Sequence, residues 1–366
     1  MDKVKETPYL TIVSCSRNDE HGGNTRQRTQ VALSSLLEQL EKHRLESEFI
    51  LVDWNPPPDK PLLKDVFPWP ARQLKYCTMR VIVVPTAIHQ RYEGADKIPM
   101  NRGLATNCGI RRARGEFILP GSIDALYPDE LMSYIAPKSL KRDEEYRVDR
   151  YDVDRNVVQL NTLEQQLDYC QKHIIQVHSQ TPPSNQSARR NRRGLPELHT
   201  MAAGDFQLLS RHYWHLLRGY REGSVISAYG DGLLCYMAYA AGVRQVVLNN
   251  PMRVYHIDHD NKFNDALIRE KLPLQNWLSV PFLSAWFNTR LLGVYRRCLM
   301  LFGYKMKSSV SGVPTLDFSE YWKMCQDMLA GKRSYIINGE DWGLGKDALE
   351  EFIINRAEWD KEYDKN

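Results

Sequence analysis

Four short runs of β-branched and apolar residues fall within the first 120 positions, and each ends in a polar break: Tyr9–Cys15 (YLTIVSC), Phe49–Asp53 (FILVD), Arg80–Pro85 (RVIVVP) and Glu116–Leu119 (EFIL). Short continuous apolar runs of this kind belong to strands covered on both faces. Between the first two, Leu33, Leu36, Leu37 and Leu40 recur at helical spacing. Between the last two lies a small-residue, basic stretch, 101–115, which reads as a helix closed by Gly115. Strands alternating with helices in one chain build a mostly parallel central sheet flanked by helices, so the fold class is α/β. Open sheets of this class hold ligands beyond the carboxyl ends of their strands, which directs attention to the residues just after each run.

The second half is less regular. From about 177 to 200 the chain is polar, Pro-containing and basic (HSQTPPSNQSARRNRRGLPELH from His178), which predicts a mobile loop, with Arg189, Arg190, Arg192 and Arg193 as a solvated charge run. Compact structure resumes at Gly204–Ser210. Asp231–Ala241 reads as a buried helix, and the strand Gln245–Asn249 leads into MRVYHIDHD. The expected organisation is one domain over 1–265, with halves 1–132 and 133–265, and a helical, aromatic extension over 266–366. Within the extension, Phe282–Tyr304 mixes aromatics, leucines and arginines. It fits a buried helix, and a helix lying at a membrane interface is the alternative.

Composition excludes several classes. Among 366 residues, 49 basic side chains face 45 acidic ones and are spread along the chain, so there is no nucleic-acid footprint. The seven cysteines form no CxxC pair and read as reduced thiols. No run reaches the ~18 apolar residues of a membrane span, and the N-terminus lacks a signal-peptide pattern. The expected compartment is the cytosol, with peripheral membrane contact left open.

Four places carry chemistry. Asp124, in Gly121-Ser122-Ile123-Asp124, follows the fourth strand; it serves either as a turn former or as a hard oxygen ligand for Mg²⁺ or Mn²⁺. Tyr255-His256-Ile257-Asp258-His259-Asp260 packs two imidazoles and two carboxylates into six positions, and imidazole suits a transition metal. Strand alternation there predicts His256 and Asp258 on one side and His259 on the other. Asp231, between glycines at a helix start, is either an N-cap or a general base held ionised by the helix dipole. Asp53, ending the second strand, is either a turn residue or a contact to the base or ribose of a nucleotide.

The segment NRGLATNCGIRRARGEFILPGSIDALYPDEL resembles the part of family 2-like GT-A glycosyltransferases that runs through a basic helix and a strand into the Asp-x-Asp metal motif. The likeness covers about 8–132 and returns over 200–260 with GDFQLLS, GYREG, YGDGLL and RVYHIDH. It implies a GT-A fold and inverting transfer of a sugar from a nucleoside-diphosphate sugar to an acceptor hydroxyl, on a glycan or another molecule, assisted by Mn²⁺ or Mg²⁺. It also implies Asp231 as catalytic base, Asp124 with His256 or His259 as metal ligands, and Ser14, Arg17, Asp53, Asn101, Asn107, Arg111 and Ser122 on the nucleotide sugar. Ser122 stands where the family has its first acid and offers only a neutral oxygen, which bears on metal dependence. Two alternatives stay open: a catalytically inactive relative that binds glycan or nucleotide, and a sugar nucleotidyltransferase. The donor base, the sugar, the acceptor and the oligomeric state are not legible in the sequence.

Overall fold

The structure is a computed structural model that describes residues 7–19, 22–180, 191, 193–223, 226, 228–260, 267–269, 308–310 and 312–357. The first apolar run forms β1 (Leu10–Ser16), followed by α1 (Thr25–Lys42), which buries the Leu33, Leu36, Leu37 and Leu40 stripe. β2 (Ser47–Trp54) is buried at every position and β3 (Cys77–Val84) at all but one. The 101–115 stretch gives α2 (Arg102–Arg112), capped by Asn101, whose side chain accepts the Leu104 N–H at 3.1 Å. α2 leads to β4 (Phe117–Pro120). β3, β2, β1 and β4 lie side by side in that order, all parallel. Gly109 lets α2 close on this sheet: a Cβ there would stand 2.4 Å from the Val13 side chain.

Further strands are β5 (Ala125–Leu126), β6 (Glu144–Arg147), β7 (Asp149–Val153), β8 (Ile174–His178) and β9 (Leu209–Ser210). After them come helix α3 (Gly230–Ala240), β10 (Arg244–Val247), β11 (Arg253–Ile257), helix α4 (Phe318–Leu329) and β12 (Glu350–Asn355). A second sheet runs β5-β11-β7-β8. The chain passes from the main sheet to this one between Pro120 and Ala125, so residues 121–124 form the seam between the sheets.

Two expectations need correction. Among the described residues beyond 265, the expected helical extension also holds a strand of the main sheet. Its α4 shares an apolar cluster with α3, and β12 pairs antiparallel with β3 as an edge of the main sheet. The physical reason is that β3 would otherwise expose an unpaired row of N–H and C=O groups, and Glu351 of β12 also meets Arg80 and Arg112. The 177–200 segment is structured at both ends: His178 closes β8, and Leu195, Leu198 and His199 are buried. Residues 181–190 and 192, with three of the four arginines of the basic run, lie outside the described residues, as does Phe282–Tyr304. Among the described residues no helix is long and apolar enough to cross a membrane. Six of the seven cysteines are free thiols, and Cys298 is outside the described residues.

Candidate functional site at the seam of two sheets

Asp124 is the centre of the site. It is 3% exposed, and hydrogen bonding along the strands fixes its position: its carbonyl accepts the Ile257 N–H at 3.2 Å, and β5 pairs with β11 so that Ala125 faces His256. His256 Nε2 therefore comes to 3.5 Å from Asp124 Oδ1, and His259 Nε2 to 3.5 Å from Oδ2. The two histidines share a side because β11 ends at Ile257. The chain turns there, and Asp258 leaves toward Arg155, at 3.1 Å, so the predicted strand alternation does not extend to His259.

The outer nitrogens of both rings face oxygens. His259 Nδ1 lies 3.1 Å from the Asp260 carbonyl, which can only accept, so that nitrogen carries the hydrogen. His256 Nδ1 faces Asp152 Oδ1 at 3.2 Å. Both Nε2 atoms thus turn toward the Asp124 carboxylate, and one ligand atom from each of Asp124, His256 and His259 lies within 4.8 Å of the others. Lone pairs at such range repel unless a cation or a proton stands among them. Each imidazole nitrogen stands 3.5 Å from one oxygen of the carboxylate, close to the roughly 3 to 3.5 Å that separates ligands of one small ion. The backing of a ligand histidine by a carboxylate is a usual feature of metal sites, and the donor set fits a divalent cation.

Electrostatics follow the geometry. Burial opposes the charge of Asp124, but His256, Arg28, the Ser122 hydroxyl and His259 together outweigh it and hold the carboxyl below its ordinary range. Burial also opposes protonation of His256, which is nonetheless raised by Asp124, Asp152 and Asp205. His259 is lowered, by burial first and with Arg28 adding to it. Arg28 projects from α1 onto Asp124 Oδ2, and both side chains are almost fully buried. Ser122, expected on the nucleotide sugar, donates to Asp124 Oδ1 at 2.5 Å and so orients the carboxylate.

From Asp124 a continuous set of contacts reaches Asp231. His256 meets Asp152, Arg150 lies 2.8 Å from Asp152 and 2.7 Å from Asp205, and Gly204, next to Asp205, donates its N–H to Asp231 Oδ2 at 2.9 Å. Buried Arg147 fixes the approach by donating to the carbonyls of His199, Met201 and Ala203. Asp231 is not an N-cap; it is the second residue of α3, after the cap Tyr229, and its Oδ1 accepts the Gly232 N–H at 2.8 Å. Each carboxylate oxygen keeps a further lone pair. Tyr229 (φ 60°) turns a ring to solvent in line with Tyr321, centroids 5.4 Å apart, and exposed Phe318 stands 5.6 Å away.

The other residues expected on the nucleotide sugar divide in two. Arg17 and Asp53 sit at the carboxyl ends of β1 and β2. Arg17 Nε donates to the Asn55 carbonyl at 2.7 Å. Asp53 accepts the Leu63 N–H through Oδ2, while its buried Oδ1 has no hydrogen-bond partner among the described residues. Burial pushes the Asp53 carboxyl up to about 6, against the lowering effects of Leu63 and Arg17. Ser14 is buried and donates to the Gly121 carbonyl at 3.1 Å, and Asn101 is the cap of α2. Asn107 and Arg111 point elsewhere, because a crossover helix runs back toward the amino ends of the strands. Asn107 is saturated by Tyr220 and Glu222, and Arg111 Nη1 donates to the carbonyls of Glu340 and Trp342, each at 2.8 Å. Neither reaches the crevice, which corrects the expectation of nucleotide contact.

Arg28, Asp152, Arg150, Asp205 and Arg102 were missed. The only sequence signal was local: an alternating acid–base pattern in DRYDV (Asp149–Val153) and an Asp in GDF.

No protein-family model and no curated protein matches the chain. Among solved structures it is similar to S. aureus TarS residues 1–349, at 13% identity and a TM-score of 0.42 over 68% of this chain and 60% of that one. The same protein in complex with UDP-GlcNAc gives 13% and 0.44 over 69% and 59%. GalNAc-T7 with UDP, GalNAc and Mn²⁺ gives 13% and 0.46 over 70% and 45%. The matched part thus spans less than two thirds of each of those chains.

Proposed function

We propose that this protein is a nucleotide-sugar-dependent glycosyltransferase of the GT-A type, acting by inversion. The observation that carries the reading is the convergence of Asp124, His256 and His259, backed by Asp152, at the carboxyl end of a parallel sheet and on the seam with a second one. A divalent ion held by these three residues would neutralise the diphosphate of the donor as it leaves. Arg17 and Asp53 take the nucleoside, and the unsatisfied Asp53 Oδ1 suits an N–H or O–H of base or ribose.

Asp231 serves as general base. Its carboxylate stands in the first turn of α3 and is positioned by the N–H groups of Gly204 and Gly232. It takes the proton of the acceptor hydroxyl while that oxygen attacks the anomeric carbon and the bond to the nucleoside diphosphate breaks. The exposed rings of Tyr229 and Phe318 beside Asp231 suit an acceptor with a sugar ring, since the C–H faces of a pyranose pack flat on aromatics.

The test has two parts. Thermal stabilisation is measured against a panel of nucleoside diphosphates with and without Mn²⁺, and donor turnover is followed as release of the nucleoside diphosphate. One nucleotide should stabilise with metal, and Asp231→Asn should lose transfer while keeping that stabilisation. An active Asp231→Asn enzyme removes Asp231 as base; no stabilisation by any nucleotide removes the enzyme reading and favours an inactive relative.

A further inference from the structure

Arg28 stands where a metal ion would also make its claim. Its guanidinium pairs with Asp124 Oδ2, the oxygen that His259 Nε2 faces at 3.5 Å, and its Nε donates to the Gly23 carbonyl at 3.2 Å. The pair is sealed, with side chains 5% and 4% exposed. The loop that seals it is Gly22-Gly23, both residues in the left-handed region; a Cβ at Gly22 would stand 2.7 Å from His259 Nδ1 and 3.2 Å from Arg28.

Charge around the seam is already matched. Asp124 pairs with Arg28, Asp152 with Arg150, and Asp205 with Arg150 and Arg102. These three carboxylates and three guanidinia balance, and outside them Arg155 faces Asp258 and Asp260. In a buried setting, where charges are weakly screened, a divalent ion entering alone adds two positive charges to this set, and on Oδ2 it competes with Arg28. A diphosphate entering with the ion brings compensating negative charge and a planar-fork partner for the guanidinium, which binds phosphate as readily as carboxylate.

We infer that Arg28 is a counter-ion gate: it occupies Asp124 in the free protein and passes to the donor's diphosphate on binding, releasing Oδ2 so that metal and diphosphate bind with positive coupling. This rests on the proposed metal centre and goes beyond it by assigning an order to its assembly. Coupling between two ligands through one shared group is typically 5- to 150-fold in affinity, and the same factor must appear in both directions.

The experiment is direct Mn²⁺ binding, read by electron paramagnetic resonance of free Mn²⁺ in chloride buffer. It is run on the full chain without and with inorganic pyrophosphate, against a protein-free Mn²⁺–pyrophosphate control. Wild type should bind weakly alone and at least tenfold more tightly with pyrophosphate. Arg28→Met, with its fold checked by circular dichroism, should bind Mn²⁺ at least tenfold more tightly than wild type without the anion, and gain little from it. Arg28→Lys, which keeps the charge but not the fork, should fall between and serves if the methionine variant does not fold. Equal Mn²⁺ affinity in wild type and the variants, with a loss in His256→Ala, overturns the gate and leaves the metal centre standing. No Mn²⁺ binding by any form overturns both, whereas the glycosyltransferase reading is judged separately by donor turnover of the wild type.

Discussion

Asn107→Ala separates two roles for this residue, nucleotide contact by family resemblance and internal clamp by geometry. Its Nδ2 donates to the Tyr220 carbonyl at 2.7 Å and to Glu222 Oε1 at 2.8 Å, and its Oδ1 accepts the Tyr220 N–H at 2.8 Å, all with the side chain fully buried. Removal does not orphan every partner. The Tyr220 carbonyl keeps Asn338 Nδ2 at 2.7 Å, and Glu222 Oε1 keeps the Gly343 N–H at 2.7 Å. What is stranded is the Tyr220 N–H, at a cost of about 1–3 kcal/mol. The space of the missing amide, roughly 40 Å³ at about 24 cal/mol per Å³, adds about 1 kcal/mol. A loss of about 2–4 kcal/mol follows. It is measured by urea unfolding followed through tryptophan fluorescence, as a fall in midpoint at unchanged slope. Nucleoside diphosphate affinity, measured by calorimetry well below the transition, should stay within twofold of wild type. A variant of native stability that no longer binds nucleotide would refute the clamp and restore the donor contact.

Three further outcomes follow from the site. Asp53 has its carboxyl raised to about 6 by burial, against about 3.9 when unfolded. Its folded form therefore loses relative stability as pH climbs from 4 to 6, and above 6 the penalty reaches up to about 3 kcal/mol. Asp53→Asn should gain on wild type across that window in a pH series of denaturation midpoints, and a flat difference would contradict the burial. Tyr229→Ala should raise the acceptor KM about three- to tenfold, the worth of one aromatic contact, with donor hydrolysis unchanged; a shift in donor KM would place the ring elsewhere. Gly22→Ala pushes a methyl into His259 Nδ1 and should weaken Mn²⁺ binding about tenfold, as disturbed metal support does, while unaltered affinity would free His259 from the ligand set.

The parallel sheet was readable because its strands are short, apolar and buried on both faces, so Val13, Ile50, Val52 and Ile82 announce themselves without context. The position of Asp124 was readable for the same reason, as the first acid after such a strand. What escaped depends on long-range pairing. β12 looks like an exposed, polar, C-terminal stretch, and only the free edge of β3 makes it a strand. Arg28 sits on a helix whose local pattern marks it as a solvent-facing cation, yet it lies 96 positions from the carboxylate it neutralises. Asn107 and Arg111 failed in the opposite sense. Their residue types suit phosphate and ribose, but their place late in α2 carries them to the amino ends of the strands, away from the crevice where sheets of this class hold ligands.

The seam explains why so many charged groups are buried here without collapse of the fold. The charges come from four places in the fold, each held by backbone hydrogen bonds: Asp124 where β4 passes into β5, His256 on β11, Asp152 and Arg150 on β7, Arg28 on α1. Most of them stand on strands and helices, which limits the conformational entropy lost when a ligand arrives. A buried set of ion pairs is in general a weak source of stability, since desolvation offsets the attraction. Replacing a complete buried pair, such as Arg28 with Asp124, by apolar residues of like volume is often neutral for stability. On the proposed function, the presence of the charges is accounted for by the partners they would exchange, a doubly charged cation and a polyphosphate entering together.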